Sequence, residues 1–322
     1  MTTITVMVCG DHWLNPEQVR QELGSSDPAK TILIDLQSEG PCIYALGLVD
    51  MLQQHCSEHN RDPATLLISR YSNNVATYPY QVVQPMQLSH FFGMSHRYRH
   101  DTVDADSDAK LFGYFLGRKT LSRCRIMYDV YRDFPDHFVL SCMQTDLDVP
   151  WRAKSMGINL EEYDQWVEDP ERFQHWWDHV PVGSIDNHTV AEQYDGISNT
   201  NLDILQYYNQ FQIELVSESY TLGETFFPTE KTIRPIMAGK PMIVQAPRHY
   251  LKHLRSLGFR TWHDVWDETY DEFEGLKRWQ AMHQTISEIV YLDINFDQAK
   301  EIAMYNRQVL DELVATDDYT NI

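Results

Sequence analysis

The chain has 322 residues, 43% hydrophobic and 12% aromatic, which is the composition of a globular protein large enough for two cored domains. A net charge of −21 argues against a broad basic surface for nucleic acid. The sequence has no apolar run of about 18 residues that would predict a membrane span, and its first residues lack the charge and length of a signal peptide. Five scattered cysteines without a C-x-x-C pair are typical of reduced thiols, so we expect a cytoplasmic protein.

The first third of the chain has the pattern of an α/β domain. Apolar runs of strand length alternate with amphipathic segments of helical length. Asn15 is a helix-capping residue type, and Pro16 suits the first helical position. The segment Val82–Phe92 is ambiguous between a strand and a turn. The other predicted elements are a strand Thr3–Cys9, a helix Asn15–Leu23, a strand Thr31–Leu36, a helix Cys42–His55 and a strand Thr65–Ser69.

Two polar loops follow strand ends in this domain. In the first, Asp11 and His12 form either an acid–base pair or an ordinary polar turn. In the second, Glu39 either presents a carboxylate to an acceptor hydroxyl or lies near the N-terminus of the next helix. The residue types leave both alternatives open.

Two acidic clusters were considered as metal sites. The segment His96–Ala109 predicts a charged surface linker, and its acidic run lacks the glycine and the final glutamate that a calcium loop needs. Asp146 and Asp148 follow a predicted strand, His137–Cys142, where an Asp-x-Asp pair can hold Mg²⁺ or Mn²⁺ on a diphosphate. The second cluster is the stronger candidate of the two.

A strand–turn–helix follows the charged linker and begins the next part of the chain, here called the second half. Lys110–Leu116 predicts a buried strand and Leu121–Tyr131 a helix. Arg118 in the glycine turn and Arg123 in the first turns of the helix suit an anion such as a diphosphate, or they are ordinary solvated arginines. Further helices are predicted over residues 151–200, with inward-facing aromatic side chains, and over Leu276–Leu313; the aromatic residues are Trp166, Phe173, Trp176 and Trp177.

The stretch Phe211–Asp271 predicts a strand, a helix and a second strand. Thr229 caps a helix that begins at Glu230 and ends at Gly239, and so brief a crossover favours a parallel sheet. Ligands of such sheets lie beyond the carboxyl ends of the strands. The polar residues expected at that edge fit a nucleotide-sugar site, or a normally capped helix; they are Ser217, Glu218, Ser219, Thr229, Glu230 and Lys231.

The same stretch contains motifs in a recognisable order. SES, FFPTEKTIRPIMAGKPMIV, YLKHLRSLGFRTW and DETYD together cover about sixty residues. In this order they resemble the donor-binding half of GT-B-type glycosyltransferases, and in particular fucosyltransferase-like enzymes and related proteins of phages, other viruses and bacteria. The resemblance is specific at the level of the family and does not extend to the substrate.

The resemblance implies an α/β fold with two Rossmann-like domains facing across a cleft. Residues 1–105 would form the acceptor side, residues 106–275 the nucleotide-sugar side, and residues 276–322 helices packing back on the first domain. The implied reaction is an inverting, metal-independent transfer from a UDP- or GDP-sugar, which is a co-substrate rather than a cofactor. Glu39 would be the general base, and Asp11 is the second candidate for that role. Arg118 and Arg123 would lie across from the polar residues that bind the donor.

The acceptor stays open between a glycan, a protein and a hydroxymethylated base of phage DNA. Two alternatives remain beside this interpretation. One is a metal-dependent GT-A enzyme that uses Asp146 and Asp148. The other is a sugar-binding protein that keeps the fold without turnover.

Overall fold

The computed structural model describes residues 2–9, 12–36, 42–69, 81–83, 101–116, 120–142, 167–179, 203–292 and 294–315. Within these residues the protein is α/β, with two four-stranded parallel sheets and one two-stranded antiparallel hairpin. The predicted α/β class with parallel sheets is therefore confirmed. None of the helices in these ranges is both long enough and apolar enough to cross a membrane.

The part of the chain that is called the first half, residues 2–83, forms one parallel sheet, in which the strands follow one another in chain order. Its buried side chains are mainly Ile, Leu and Val on the strands and on the helices beside them. The sheet order is β1-β4-β5-β6, and the elements are β1 (Thr2–Val6), β2 (Val8–Cys9), β3 (His12–Trp13), α1 (Pro16–Gly24), β4 (Ile32–Leu36), α2 (Leu48–His59), β5 (Leu66–Ser69) and β6 (Gln81–Val83).

Three local details differ from the sequence-based expectation. The predicted strand Thr3–Cys9 is divided at Met7 into β1, which belongs to the parallel sheet, and β2, which pairs with β3. Helix α2 begins at Leu48 and not at Cys42, because residues 43–47 form turns and Gly47 adopts a left-handed conformation with φ of 71°. Asn15 precedes α1 as predicted, but its side chain makes no capping bond. It accepts instead from the Met7 amide at 2.9 Å and donates to the Thr5 carbonyl at 2.9 Å, which fixes the hairpin of β2 and β3.

The second half forms the other sheet, and the predicted strands and helices that lie within the described residues are found with small shifts at their ends. The predicted helical tail Leu276–Leu313 is divided into two helices. The sheet order is β8-β7-β9-β10, all parallel. The elements are β7 (Lys110–Leu116), α3 (Leu121–Asp133), β8 (Phe138–Cys142), α4 (Pro170–Asp178), β9 (Phe211–Ser217), α5 (Glu230–Ala238), β10 (Met242–Gln245), α6 (Tyr250–Ser256), α7 (Gly275–Tyr291) and α8 (Phe296–Ala315).

Helices cover both faces of this second sheet. Glu214 on β9 is the register partner of Gly113, so the neighbouring Tyr114 points to the opposite face. The Tyr114 hydroxyl donates to the Arg123 carbonyl of α3 at 3.2 Å, whereas Glu214 binds Arg234 of α5. The sheet is thus enclosed between α3 on one face and α5 on the other.

The aromatic segment and the C-terminal helices also pack against this sheet. In α4, Phe173 and Trp177 are buried as predicted, and Phe173 meets Tyr128 edge-on. The helices α7 and α8 bury residues such as Trp279 and Ala303 in the core of the second sheet. The expectation that residues 276–322 pack back on the first domain stays a prediction.

Candidate functional site

The strand order of the second sheet defines where a ligand would be expected. From β7 the chain crosses to β8 on one side, and it later returns to β9 and β10 on the other side. The direction of the connections therefore reverses between β7 and β9. In open α/β sheets, ligands bind beyond the carboxyl ends of the strands at such a switch point. In this protein that crevice lies after Leu116 and Ser217.

Local sequence signals place the N-terminus of α5 at this edge. Thr229 is the N-cap, and its hydroxyl accepts from the Lys231 amide at 3.3 Å. The helix ends at Gly239, which has φ of 67° and satisfies the last turn through its own amide. Pro235 lies inside the nine-residue helix without interrupting it. The predicted cap, start and end are all confirmed.

Glu218, the first residue after β9, is only 2% exposed and is fully engaged within the protein. Its Oε1 accepts from the Thr229 amide at 3.0 Å, the Thr232 hydroxyl at 2.5 Å and the Tyr250 hydroxyl at 3.0 Å. Its Oε2 accepts from the Thr229 hydroxyl at 2.6 Å. The carboxylate expected to hold sugar hydroxyls instead ties the start of α5 to the end of β9.

Arg123 is likewise turned into the protein. Its Nη2 donates to the Ser217 carbonyl at 3.1 Å and to the Glu218 carbonyl at 2.8 Å, and the residue is 5% exposed. It thereby joins α3 to the end of β9 across the switch point. The structure thus places the Arg123 side chain against the backbone of Ser217 and Glu218. Their roles as direct ligand contacts stay predictions.

Glu230 and Lys231 are the accessible polar pair of this edge. The Glu230 side chain is 35% exposed and the Lys231 side chain 21%, and their charged atoms lie 2.6 Å apart. Burial disfavours the Glu230 carboxylate, but the Lys231 ammonium and nearby hydrogen bonds outweigh it and lower the pKa of Glu230 to about 2. Lys231 Nζ also donates to the Thr229 hydroxyl at 3.2 Å. A cation, a carboxylate and a helix N-terminus therefore stand together at the surface.

The DETYD motif stabilises the turn and helix beside this edge. Asp271 accepts from the amides of Leu251 at 2.9 Å and Lys252 at 3.1 Å, so it caps the seven-residue helix α6 from a distance in the chain. Arg278, which is fully buried, donates to Asp271 at 3.0 Å. Glu268 accepts from the Trp262 amide at 2.6 Å. The motif is thus used for local structure.

Among the described residues, Gly223 marks a close contact between the first half of the chain and this edge. Gly223, in the loop between β9 and α5, has φ of +77°, and a Cβ added there would lie 2.3 Å from the Cys42 sulfur and 3.3 Å from the Ala45 side chain. Only glycine fits this contact without a shift of the neighbouring segment.

Several predicted site residues lie outside the described part of the chain. These are Asp11, Glu39, Arg118, Asp146 and Asp148. No group of three or more His, Cys, Asp or Glu side chains suited to a metal ion was found among the described residues.

Sequence reasoning missed Thr232 and Tyr250. Both are fully buried and both contact Glu218, with their hydroxyl oxygens 2.7 Å apart. Thr232 lies three residues after the N-cap Thr229 and is therefore in the first turn of α5, close to the cap. Tyr250 lies 32 residues after Glu218, so no local pattern links them.

The fold is that of an α/β protein whose second parallel sheet has polar side chains at its carboxyl edge, beside the start of α5, and this is the candidate ligand edge. In comparisons with known proteins, no family model matches the chain, and neither a characterised protein nor a solved structure matches it with significance.

Proposed function

We propose that the protein is a glycosyltransferase that moves a sugar from a nucleotide-sugar to an acceptor hydroxyl. The observation that carries the proposal is the pair Glu230 and Lys231 at the N-terminus of α5, on the carboxyl edge of a sheet with a switch point. The choice of a nucleotide-sugar rests on the motifs that resemble GT-B donor-binding domains. A UDP- or GDP-sugar is the donor, with a glycan or a modified base of phage DNA as acceptor.

In this proposal the helix start binds the diphosphate. Backbone N–H groups of the first turn and the Lys231 ammonium attract the anion, and the Glu230 carboxylate accepts from sugar hydroxyls. Because Lys231 is paired with Glu230 in the ligand-free protein, the diphosphate competes with that carboxylate for the ammonium. Arg118 is a second candidate cation for the departing diphosphate, and no metal is needed for the charge.

A carboxylate on the first half of the chain acts as the general base. It takes the proton from the acceptor hydroxyl while the hydroxyl oxygen attacks the anomeric carbon and the bond to the diphosphate breaks. Glu39 is our choice and Asp11 the reserve. The contact between Gly223 and Cys42 supports this choice, because Cys42 comes three residues after Glu39 in the chain.

Binding measurements test the donor site directly. Thermal stabilisation by a panel of UDP-, GDP-, CMP- and TDP-sugars identifies the donor, since a ligand that binds only the folded state raises Tm. With that donor, Lys231→Ala should weaken binding of both the nucleotide-sugar and its nucleoside diphosphate by about 1–3 kcal/mol, for a lost charge-assisted contact. Titration calorimetry measures the change.

A matched control is Lys300→Ala. Lys300 is also paired with a carboxylate, Asp104, but Asp104 lies in the segment leading into the amino end of β7, away from the carboxyl edge. This variant should leave nucleotide affinity unchanged. Equal affinities for Lys231→Ala and the native protein would refute the donor site.

A non-catalytic sugar-binding protein is the second candidate. It is favoured by one observation, namely that Glu218 and Arg123 are used within the protein. The two candidates can be distinguished without an acceptor. A transferase slowly hydrolyses its nucleotide-sugar with water, whereas a binding protein only holds it. Release of nucleoside diphosphate over hours, lost in Glu39→Gln, would favour the enzyme.

A further inference from the structure

The carboxylate of Glu218 is buried and is held by donors from the protein itself. An ionised carboxylate has two oxygens, each with about two acceptor positions. Three donors converge on Oε1, namely the Thr229 amide and the hydroxyls of Thr232 and Tyr250, and the Thr229 hydroxyl donates to Oε2. Because the residue is only 2% exposed, a sugar hydroxyl would have to displace protein atoms to reach this carboxylate.

The four donors come from two elements that border the edge. Thr229 and Thr232 belong to the cap and first turn of α5, and Tyr250 is the first residue of α6. Glu218 itself continues β9. One buried side chain therefore joins the strand end, the start of α5 and the start of α6. Two of the three residues that it holds, Thr229 and Thr232, are the immediate neighbours of Glu230 and Lys231 in the chain.

We propose that Glu218 is a positioning residue, which, with Thr232 and Tyr250, sets the geometry of the α5 N-terminus so that Lys231 and its backbone amides meet a diphosphate. This inference rests on the proposed function for the identity of the ligand. It also reassigns Glu218 from contacting the donor to aligning the group that does.

The first arm of the test uses the protein without ligand. Glu218→Gln keeps the shape but puts an amide group where donors now converge. The amides of Thr232 and Ile233, which both donate to the Thr229 carbonyl, report the first turn of α5. We expect their hydrogen exchange to become about tenfold faster, as expected for the loss of a buried charge-assisted network. Unchanged exchange would overturn the inference.

A pair of tyrosine variants provides a matched comparison. Tyr250 and Tyr270 are both fully buried, but only the Tyr250 hydroxyl is among the described hydrogen-bond partners of Glu218. Tyr250→Phe should speed exchange of the same amides about threefold, and Tyr270→Phe should leave it unchanged. Equal effects of the two changes would indicate general loosening of the domain and count against the proposal. If Glu218→Gln does not fold, Thr232→Val takes its place with the threefold expectation.

The second arm separates positioning from contact by comparing two ligands. UDP or GDP carries a ribose and a diphosphate, whereas inorganic pyrophosphate has only the phosphates. If Glu218 acts through α5, Glu218→Gln weakens both ligands by the same factor, about tenfold. If it contacts ribose hydroxyls, the nucleotide is weakened and pyrophosphate is not, and the proposal is wrong.

Failure of the proposed function would look different. In that case the native protein binds neither the nucleotides nor pyrophosphate, and the exchange arm alone decides the role of Glu218. Faster exchange would then show that Glu218 aligns α5, and the absence of binding would show that this alignment does not serve a diphosphate. Unchanged exchange would refute both ideas together.

Discussion

The two sheets are built from the same kinds of strand and helix, but they differ in order. In the first sheet, β1, β4, β5 and β6 are neighbours in chain order, so the connections all advance in one direction across the described residues. In the second, the chain starts in the middle and extends to both sides. Only the second order opens a crevice between adjacent strand ends. Strand order, which composition does not reveal, thus decides which of the two sheets has such a crevice.

The two halves also differ in how they bury polar groups. In the first half, Asn15 and Arg61 are buried and bind backbone carbonyls of nearby loops. In the second half, Arg234 and Glu214 form a buried ion pair beneath the sheet, completed by the Tyr208 hydroxyl. Buried pairs of this kind are costly to break, because a charge is left without its partner. The second half should therefore respond more sharply to single substitutions.

The largest expected effect comes from Arg234→Met. Removing the guanidinium leaves Glu214 and Tyr208 uncompensated, and we expect the free energy of unfolding at pH 7 to fall by about 3–5 kcal/mol in urea titrations. Burial already raises the pKa of Glu214, against the effect of Arg234. Without Arg234 the folded-state pKa rises further, so the deficit should shrink as the pH falls toward the ordinary value of 4.5.

The matching change in the first sheet is Ile34→Val, at a fully buried strand position. It should cost about 0.5–1.5 kcal/mol at every pH, because only a methyl group is lost. Equal costs for the two variants would remove the contrast between the halves.

A substitution at Gly223 tests whether the halves meet. An added methyl group would clash with Cys42 and would force a side chain into a left-handed conformation. We expect Gly223→Ala to cost about 1–3 kcal/mol of stability. The double variant with Cys42→Gly should recover the steric part and retain the backbone strain, because both the sulfur and the Cβ of residue 42 lie within 2.4 Å of the added methyl group. Gly24→Ala, which has open space around it, should change stability by less than about 1 kcal/mol.

The smallest effect is expected at the ligand edge itself. The pKa of Glu230 is about 2 in the folded protein, below its ordinary 4.5, so the pair with Lys231 contributes stability above pH 4.5 and loses it as the pH falls toward 2. Because both side chains are partly exposed, the contribution is at most about 1 kcal/mol. Glu230→Gln should flatten the acid limb of the stability curve by that amount. An unchanged limb would mean that the pair contributes nothing.

Sequence reasoning succeeded where the signals are local. The cap at Thr229, the glycine end of α5 and the strands around it depend on residues close in the chain, and all are found. It did not predict what Glu218 and Arg123 bind, because their partners are distant: Tyr250 is 32 residues from Glu218, and Glu218 is 95 residues from Arg123. A glutamate that binds a sugar and one that binds three hydroxyls look alike in a sequence.

The capping of α6 by Asp271 has a consequence for how the chain is made. A helix of seven residues is too short to persist alone in water. The Leu251 amide of this helix donates to the carboxylate of Asp271, which comes 20 residues later in the chain. Arg278 in turn donates to the same carboxylate. As the protein leaves the ribosome, the strands β7 to β10 can emerge before this carboxylate does. The border of the ligand edge is therefore completed late in synthesis, after the sheet that supports it.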